Sequence, residues 1–169
     1  MTERFNKFFD NLMINEGVYS DDPKDSGGKT IYGIASKYHP ESYQFISNLF
    51  FEGKKELAKQ AAKNFYYSKY YNPLYEEIKD EKLAFRLFDF GVNAGIRRAV
   101  KLLQEVIKKD GQEIIIDGIF GRVTLSLTNT FDFYCEYKKA LKKYYESLNK
   151  PRFLTGWLNR LRRVFKNLS

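Results

Sequence analysis

Residues 16–34 read EGVYSDDPKDSGGKTIYGI, one carboxylate followed by an acidic segment rich in turn residues. Proline fixes φ, Asp and Ser bond their own backbone, and paired glycines accept positive φ, so DDPKDSGG predicts a reversal of the chain. The TIYGI that follows alternates β-branched and aromatic residues, as a short strand does. The stretch therefore predicts a small hairpin that folds Asp25 and Thr30 back toward Glu16.

The residues before Glu16 predict an amphipathic helix. Its apolar side chains recur at the spacing of one helix face: Phe5, Phe8, Phe9, Leu12 and Met13. Glu16 continues this stripe, so we expect its carboxyl to point toward the protein interior. Burial raises the pKa of a carboxyl, which lets a general acid hold its proton near neutral pH. Glu16 is thus a candidate general acid, and a glycoside-cleaving enzyme is the leading hypothesis.

Five motifs resemble one enzyme family in their order along the chain. They are residues 16–34, the tyrosine-rich segment 64–72, FDFGVNAG at 88–95, DGIFG at 117–121 with Thr124, and FL at 153–154 with Gly156, Trp157 and Arg160. Together they resemble glycoside hydrolase family 108, bacterial and phage N-acetylmuramidases that cut peptidoglycan. The last three are similar to a peptidoglycan-binding region associated with that family. Two positions depart from the pattern: Val18 replaces a usual glycine, and Arg122 replaces a frequent proline.

The resemblance implies a mainly α, lysozyme-like fold, with helical lobes that flank a cleft and a small β-hairpin. It implies a catalytic region over 1–88 and a helical peptidoglycan-binding region over 89–169, packed against it. The implied reaction cleaves the β-1,4 bond between N-acetylmuramic acid and N-acetylglucosamine. Glu16, Asp25 and Thr30 are spaced similarly to the Glu, Asp and Thr of phage-type lysozymes. A lytic transglycosylase and a non-catalytic peptidoglycan-binding module are the alternatives.

Most of the other candidate residues have a structural interpretation beside the functional one. Asp25 is either a base or electrostatic partner of Glu16, or a turn residue that caps backbone amides. Tyr19 and Tyr32 either stack on sugar rings or fill the core of the hairpin. Asn93 either binds an N-acetyl group or caps a helix.

Asp22 is a candidate substrate-binding residue beside the proposed acid. Asp21, Asp22 and Asp25 could instead form a cation loop, but their spacing does not match an EF-hand. The tyrosines from 66 to 75 either line a glycan groove or, as is more common for an aromatic stripe, belong to the core.

Composition favours one lobed globular domain of 169 residues without a cofactor. No run of about 18 apolar residues predicts a membrane span, and the N-terminal residues predict no signal peptide. A single cysteine, Cys135, and a single histidine, His39, leave no internal disulfide, no convincing zinc set and no Ser-His-Asp triad. We therefore expect carboxylate chemistry. With the family resemblance, a small chain that has no visible signal peptide and a basic end looks like a monomeric, bacteriolytic phage endolysin or autolysin. It would be made in the cytoplasm of a bacterial host and act on the cell wall or periplasm after release.

The positive charge of the chain is concentrated at its end. Residues 138–169 hold 10 Lys and Arg against 1 acid, whereas residues 1–137 hold 19 against 20. Such a tail favours polyanions, but no nucleic-acid-binding motif accompanies it, so we expect no nucleic-acid partner. The tail is also amphipathic, which predicts either a final helix that caps the core or a helix that contacts the anionic envelope or membrane.

Periodicity predicts helices near 3–15, 54–71, 81–93, 95–109, 122–148 and 154–167, with one hairpin within 18–34. Ile114–Ile116 predicts either a short buried strand or the packed end of a loop. We place the boundary between the two regions near Phe88.

Overall fold

A computed structural model describes residues 1–16, 18–21, 28–163 and 165, without the side chains of residues 15 and 16. Within these residues are eight α-helices, one 3-10 helix and a three-stranded antiparallel sheet. The described part is thus mainly α with a small hairpin-built sheet, as the sequence predicted. None of its helices is both long enough and apolar enough to cross a bilayer.

The chain divides into two compact units, Met1–Lys69 and a second that begins at Tyr70. The first unit holds α1 (Glu3–Glu16), β1 (Tyr19–Ser20), β2 (Thr30–Ile31), β3 (Ile34–Ala35), α2 (Pro40–Phe51) and α3 (Lys55–Tyr70). The second holds a 3-10 helix (Pro73–Glu77), α4 (Glu81–Ala94), α5 (Ile96–Lys109), α6 (Arg122–Thr128), α7 (Tyr134–Ser147) and α8 (Pro151–Arg162). The predicted boundary near Phe88 falls inside helix α4, whereas the compact units divide at Tyr70; the assignment of a catalytic region and a binding region stays a prediction.

Helix α1 is anchored by its apolar stripe. Four of the five predicted stripe residues are fully buried: Phe5, Phe8, Phe9 and Leu12. Phe5 meets the Tyr67 ring edge-on at 4.9 Å between centroids, and Phe9 lies 5.9 Å from the Tyr66 ring, so the stripe packs on α3. Each such burial is worth about 2 kcal/mol. The end of α1 at Glu16 is therefore supported by a tightly packed helix.

The sheet is built around a two-residue turn. Tyr32 and Gly33 have φ values of 48° and 75°, the positive values that a type I′ hairpin turn between β2 and β3 requires. The register pairs Thr30 with Ala35 and Ile31 with Ile34.

Strand β1 extends the sheet on the other side of β2, and α2 packs against the sheet. Tyr19 lies opposite Ile31, and Ser20 lies opposite Thr30. Because side chains alternate along a strand, Ser20 and Thr30 project from one face and Tyr19 and Ile31 from the other. Helix α2 packs against β2 and β3, and Ile31, Ile34 and Ile46 are buried.

The second unit is organised around α4, whose residues 83–91 are all buried. At its centre Asp89, 2% exposed, accepts hydrogen bonds from Arg86 at 3.3 Å and from Arg160 of α8 at 2.8 Å. The Trp157 ring stacks on Tyr145 at 5.1 Å. These contacts fasten the described part of the basic C-terminal segment to the core of its own unit, while Arg152 and Arg162 are exposed.

The loop DGIFG at 117–121 is held by a buried glutamine. The Gln104 side-chain oxygen accepts from the Gly118 amide at 2.8 Å, and its nitrogen donates to Asp117 at 2.8 Å and to Thr124 at 3.2 Å. Hydrogen bonds from the Ile119 amide and from Gln104 lower the pKa of Asp117. The polar residues of this motif therefore fix the conformation of a loop.

Two sequence predictions of secondary structure were wrong, and one open choice is decided. Helix α2 was missed, because its many aromatic residues do not form one clear stripe. The predicted helix 122–148 is two helices, since Asn129 bonds the backbone of Lys79 and Glu77, and Asp132 accepts from the first amide of α7. Of the two interpretations of residues 114–116, the structure supports a loop over a buried strand, although the loop is not tightly packed, since Ile115 is 80% exposed.

The boundaries of the last helix also differ from the prediction. Helix α8 begins at Pro151, because proline suits the first helical turn, and ends at Arg162, where Arg163 turns to extended backbone. The predicted start at 154 was therefore three residues late.

Candidate active site

The candidate site is built on the junction between α1 and the sheet. Glu16 is the last residue of α1, and β1 begins three residues later at Tyr19. Nine residues, 21–29, separate the paired Ser20 and Thr30 at the ends of the β1–β2 loop. The side chain of Glu16, and Asp22 and Asp25 within the loop, lie outside the described residues.

An ion pair joins the two ends of this loop. Lys29 Nζ lies 3.1 Å from Asp21 Oδ2, and this hydrogen bond, with the Asp21 charge, raises the pKa of Lys29. On the far side, the Ser36 amide donates to the Lys29 carbonyl at 2.9 Å. Gly28 has φ 73°, and a Cβ there would lie 3.0 Å from Ser36 Oγ. The two ends of the loop that contains Asp22 and Asp25 are thus joined by this exposed ion pair, here called the clamp, which the sequence alone did not indicate.

The β2–β3 turn is fastened to α3. The buried Tyr66 hydroxyl donates to the Tyr32 carbonyl at 2.8 Å. The Tyr32 ring is 6% exposed and its hydroxyl donates to the Lys55 carbonyl at 3.4 Å, while burial raises its pKa. Of the two interpretations of Tyr32, the structure supports the one that fills the hairpin core, because the ring offers no open face to a sugar.

Tyr19 and Thr30 are the candidate residues whose described side chains reach the surface of this unit. Thr30 is half-buried, on the sheet face opposite to that of Tyr19. Tyr19 is 42% exposed, and its ring meets Phe51 edge-on at 5.4 Å. Its hydroxyl donates to Asp21 at 3.5 Å. A role of Tyr19 or Thr30 in substrate binding or catalysis stays a prediction.

Asn93 lies in the second unit, exposed in the last turn of α4. The aromatic stripe is largely core, since Tyr66, Tyr71 and Tyr75 are between 1% and 8% exposed. His39 precedes α2 with its Nδ1 3.2 Å from Lys69 Nζ, and burial together with that charge lowers its pKa.

Metal chemistry finds no support in the described residues. Nowhere in residues 1–16, 18–21, 28–163 and 165 do three His, Cys, Asp or Glu side chains cluster as a metal site requires. The acidic triad of Asp21, Asp22 and Asp25 falls partly outside that range.

Comparison with known proteins assigns the family. The sequence model of glycosyl hydrolase 108 matches residues 9–95, which run from α1 to the end of α4. The chain belongs to glycosyl hydrolase family 108. It is also similar to the solved structure of Brucella abortus SagA, with 26% identity, a TM-score of 0.71, and coverage of 95% of this chain and 91% of that one. No curated protein matches the chain. The predicted lysozyme-like fold is confirmed, and membership of family 108 makes the protein a glycosidase and a peptidoglycan hydrolase.

The family match contains the whole candidate site. Glu16, the clamped loop and Thr30 all lie within residues 9–95, whereas most of the second unit lies beyond them. The peptidoglycan-binding role of residues 89–169 therefore stays a prediction.

Proposed function

We propose that this family 108 glycosidase is a muramidase, with Glu16 as its general acid. It would cleave the β-1,4 bond between N-acetylmuramic acid and N-acetylglucosamine. One observation carries the proposal: within the family match, α1 ends at Glu16 immediately before a hairpin whose clamped loop contains Asp25 and ends at Thr30.

In the proposed reaction, Glu16 gives its proton to the glycosidic oxygen, which leaves as a free hydroxyl on the next sugar. The anomeric carbon passes through an oxocarbenium-like transition state, stabilised by the Asp25 carboxylate or attacked by a water that Asp25 and Thr30 orient. Water supplies the new anomeric hydroxyl, and its second proton restores the acid. The net change is addition of one water across one bond.

The stereochemical outcome depends on the separation of the two carboxyl groups. A separation of about 5 Å places Asp25 as a nucleophile and retains the anomeric configuration, whereas about 6.5–9.5 Å leaves room for water and inverts it.

The packing of the first unit suits this chemistry. General acid catalysis needs a proton donor within hydrogen-bond reach of the leaving oxygen. Helix α1 is anchored by four fully buried side chains, and the hairpin is fixed at the Tyr66–Tyr32 hydrogen bond and at the Asp21–Lys29 ion pair. The elements that flank the proposed acid and its partners are thus held by buried packing, one buried hydrogen bond and one surface ion pair.

The identity of the products tests the reaction. We would incubate the protein with peptidoglycan sacculi and identify the released muropeptides by mass spectrometry. Reducing N-acetylmuramic acid ends would support the muramidase. Anhydro ends would instead assign a lytic transglycosylase, in which a hydroxyl of the sugar attacks in place of water. Release of no sugar by a protein that sediments with sacculi would favour the non-catalytic binding module.

We further propose that the second unit holds the enzyme on the wall, as a phage endolysin or autolysin that acts after release from the bacterial cytoplasm. The exposed Arg152 and Arg162 of α8 suit an anionic envelope, while the Asp89–Arg160 pair keeps the helix attached to its own unit. Replacing both exposed arginines by glutamine should reduce cosedimentation with sacculi. The difference from wild type should shrink as salt rises, because charge attraction is screened.

A further inference from the structure

A pair of exposed aromatic rings lies beside the clamped loop. Phe51, the last residue of α2, is 65% exposed, and Tyr19 of β1 is 42% exposed. Their rings meet edge-on at 5.4 Å between centroids. Contiguous apolar surface often marks a binding site, so two exposed aromatic rings in mutual contact are a candidate for one.

The pair packs against two further aromatic rings. Phe50 meets Phe51 at 5.5 Å, and the buried Tyr32 ring meets Phe50 at 6.2 Å, both edge-on. Four rings thus run from the core of the hairpin to its surface. Because these rings support one another, binding at the outer two would cost little conformational entropy.

Polar groups border the two rings of the pair. The Tyr19 hydroxyl donates to Asp21 at 3.5 Å, and Asp21 pairs with Lys29 at 3.1 Å. Tyr43 lies close enough for the charges of Tyr19, Lys29 and Asp21 to affect its pKa, which burial raises. Apolar ring surface bordered by hydroxyl, carboxylate and ammonium groups matches a sugar, which has apolar C–H faces and hydroxyl edges. The hydrocarbon core of a bilayer, by contrast, holds no polar partners for these groups.

The position of Tyr19 relative to Thr30 determines which sugars of a glycan strand the aromatic pair would contact. Tyr19 stands on strand β1, one strand from Thr30, but projects from the opposite sheet face. Adjacent strands are only about 4.8 Å apart, so a polymer that runs round the β1 edge passes both. The pair is therefore suited to sugars away from the bond that is cut.

We propose that Tyr19 and Phe51 form an auxiliary platform that binds the peptidoglycan glycan strand outside the cleavage site. This inference rests on the proposed muramidase function. Phe51 thereby joins the candidate substrate-binding residues, although the sequence did not indicate it. The platform should strengthen the binding of long glycan strands and leave the binding of short ones unchanged.

Kinetics on two substrates test the platform. Phe51→Ala should raise KM on long, un-cross-linked glycan strands roughly threefold to tenfold, the scale of one aromatic contact, with kcat unchanged. On a soluble tetrasaccharide of the same sugars its kinetics should equal those of wild type. Phe51→Trp keeps a ring and should retain binding.

Phe45→Ala is the matched control. Phe45 lies on the same helix as Phe51 and is 61% exposed. Because the two residues are six positions apart, their side chains point in directions about 120° apart around the helix. Its kinetics should equal those of wild type on both substrates. Equal kinetics of Phe51→Ala and wild type on long strands would overturn the platform, as would an equal loss on both substrates.

Failure of the platform can be told from failure of the proposed reaction. If wild type cuts neither substrate, equilibrium binding of long strands to wild type and Phe51→Ala decides the matter: weaker binding by the variant supports the platform, and equal binding overturns it. Binding that depends on Phe51 to phosphatidylglycerol vesicles, with none to strands, would assign the patch to a membrane and overturn it as well.

Discussion

The hydrogen bond from Tyr66 to the Tyr32 carbonyl is the most informative contact to remove. It joins α3 to the positive-φ turn between β2 and β3, and Thr30 begins β2. Tyr66→Phe keeps the ring and its packing against Phe9 and Phe65, so only the hydroxyl is lost. The variant therefore removes the hydroxyl that bonds the hairpin of the candidate site.

The expected cost follows from burial. Tyr66 is 2% exposed and the hydrogen bond is 2.8 Å long, so its removal leaves a buried carbonyl without a partner. Such a loss costs about 1–3 kcal/mol. At roughly 2–4 °C per kcal/mol for a chain of this size, the melting temperature should fall by about 4–8 °C for a 2 kcal/mol loss.

Urea unfolding measures this change, with Tyr38→Phe as the control. Tyr38 is 60% exposed, so removing its hydroxyl should leave the free energy of unfolding unchanged. Hydrogen exchange adds a local measurement, since the Tyr32 amide, which donates to the Val18 carbonyl, should exchange faster in Tyr66→Phe. A Tyr66→Phe protein as stable as wild type, with unchanged exchange, would refute the argument that this bond holds the hairpin.

Three further substitutions test other parts of the account. Gly33→Ala should cost about 1–2 kcal/mol in urea unfolding, because φ is 75° there; unchanged stability would contradict the type I′ turn. Asp89→Ala should cost about 3–5 kcal/mol, since Arg86 and Arg160 both lose the carboxylate that pairs with their buried charge, and a loss below about 1 kcal/mol would contradict that role. The folded state lowers the pKa of His39, so its contribution to stability is present above the ordinary value of 6.5 and is lost as pH falls through the folded pKa. His39→Gln should therefore flatten the fall in melting temperature on acidification, and parallel profiles would contradict this.

The sequence predicted the elements whose signals are local. Helix α1 was predicted from the helical spacing of Phe5, Phe8, Phe9 and Leu12. The structure buries all four, so the spacing reflects the packing. Helix α2 gave no such signal, since Phe45 and Phe51 are exposed aromatic residues in a helix with half-buried faces. Periodicity cannot distinguish such a segment from a loop.

The candidate site was predictable only in part, because local sequence patterns do not show which distant residues meet. The order of Glu16, the turn-rich loop and Thr30 can be read from the sequence. The Asp21–Lys29 clamp, the Tyr66–Tyr32 bond and the Tyr19–Phe51 pair join residues that are 8, 34 and 32 positions apart and meet only through folding. The sequence therefore indicated the chemistry, whereas the structure was needed to show what supports it.

Replacement of the proposed acid tests the central claim most directly. We would compare wild type, Glu16→Gln and Glu41→Gln in the release of reducing sugar from sacculi, after checking that their melting temperatures agree. Glu41 is an exposed glutamate in the first turn of α2 and serves as the matched control. We expect Glu16→Gln to lose at least about 100-fold in rate, the scale of general acid catalysis, and Glu41→Gln to match wild type. A Glu16→Gln protein that keeps the wild-type rate would contradict the account.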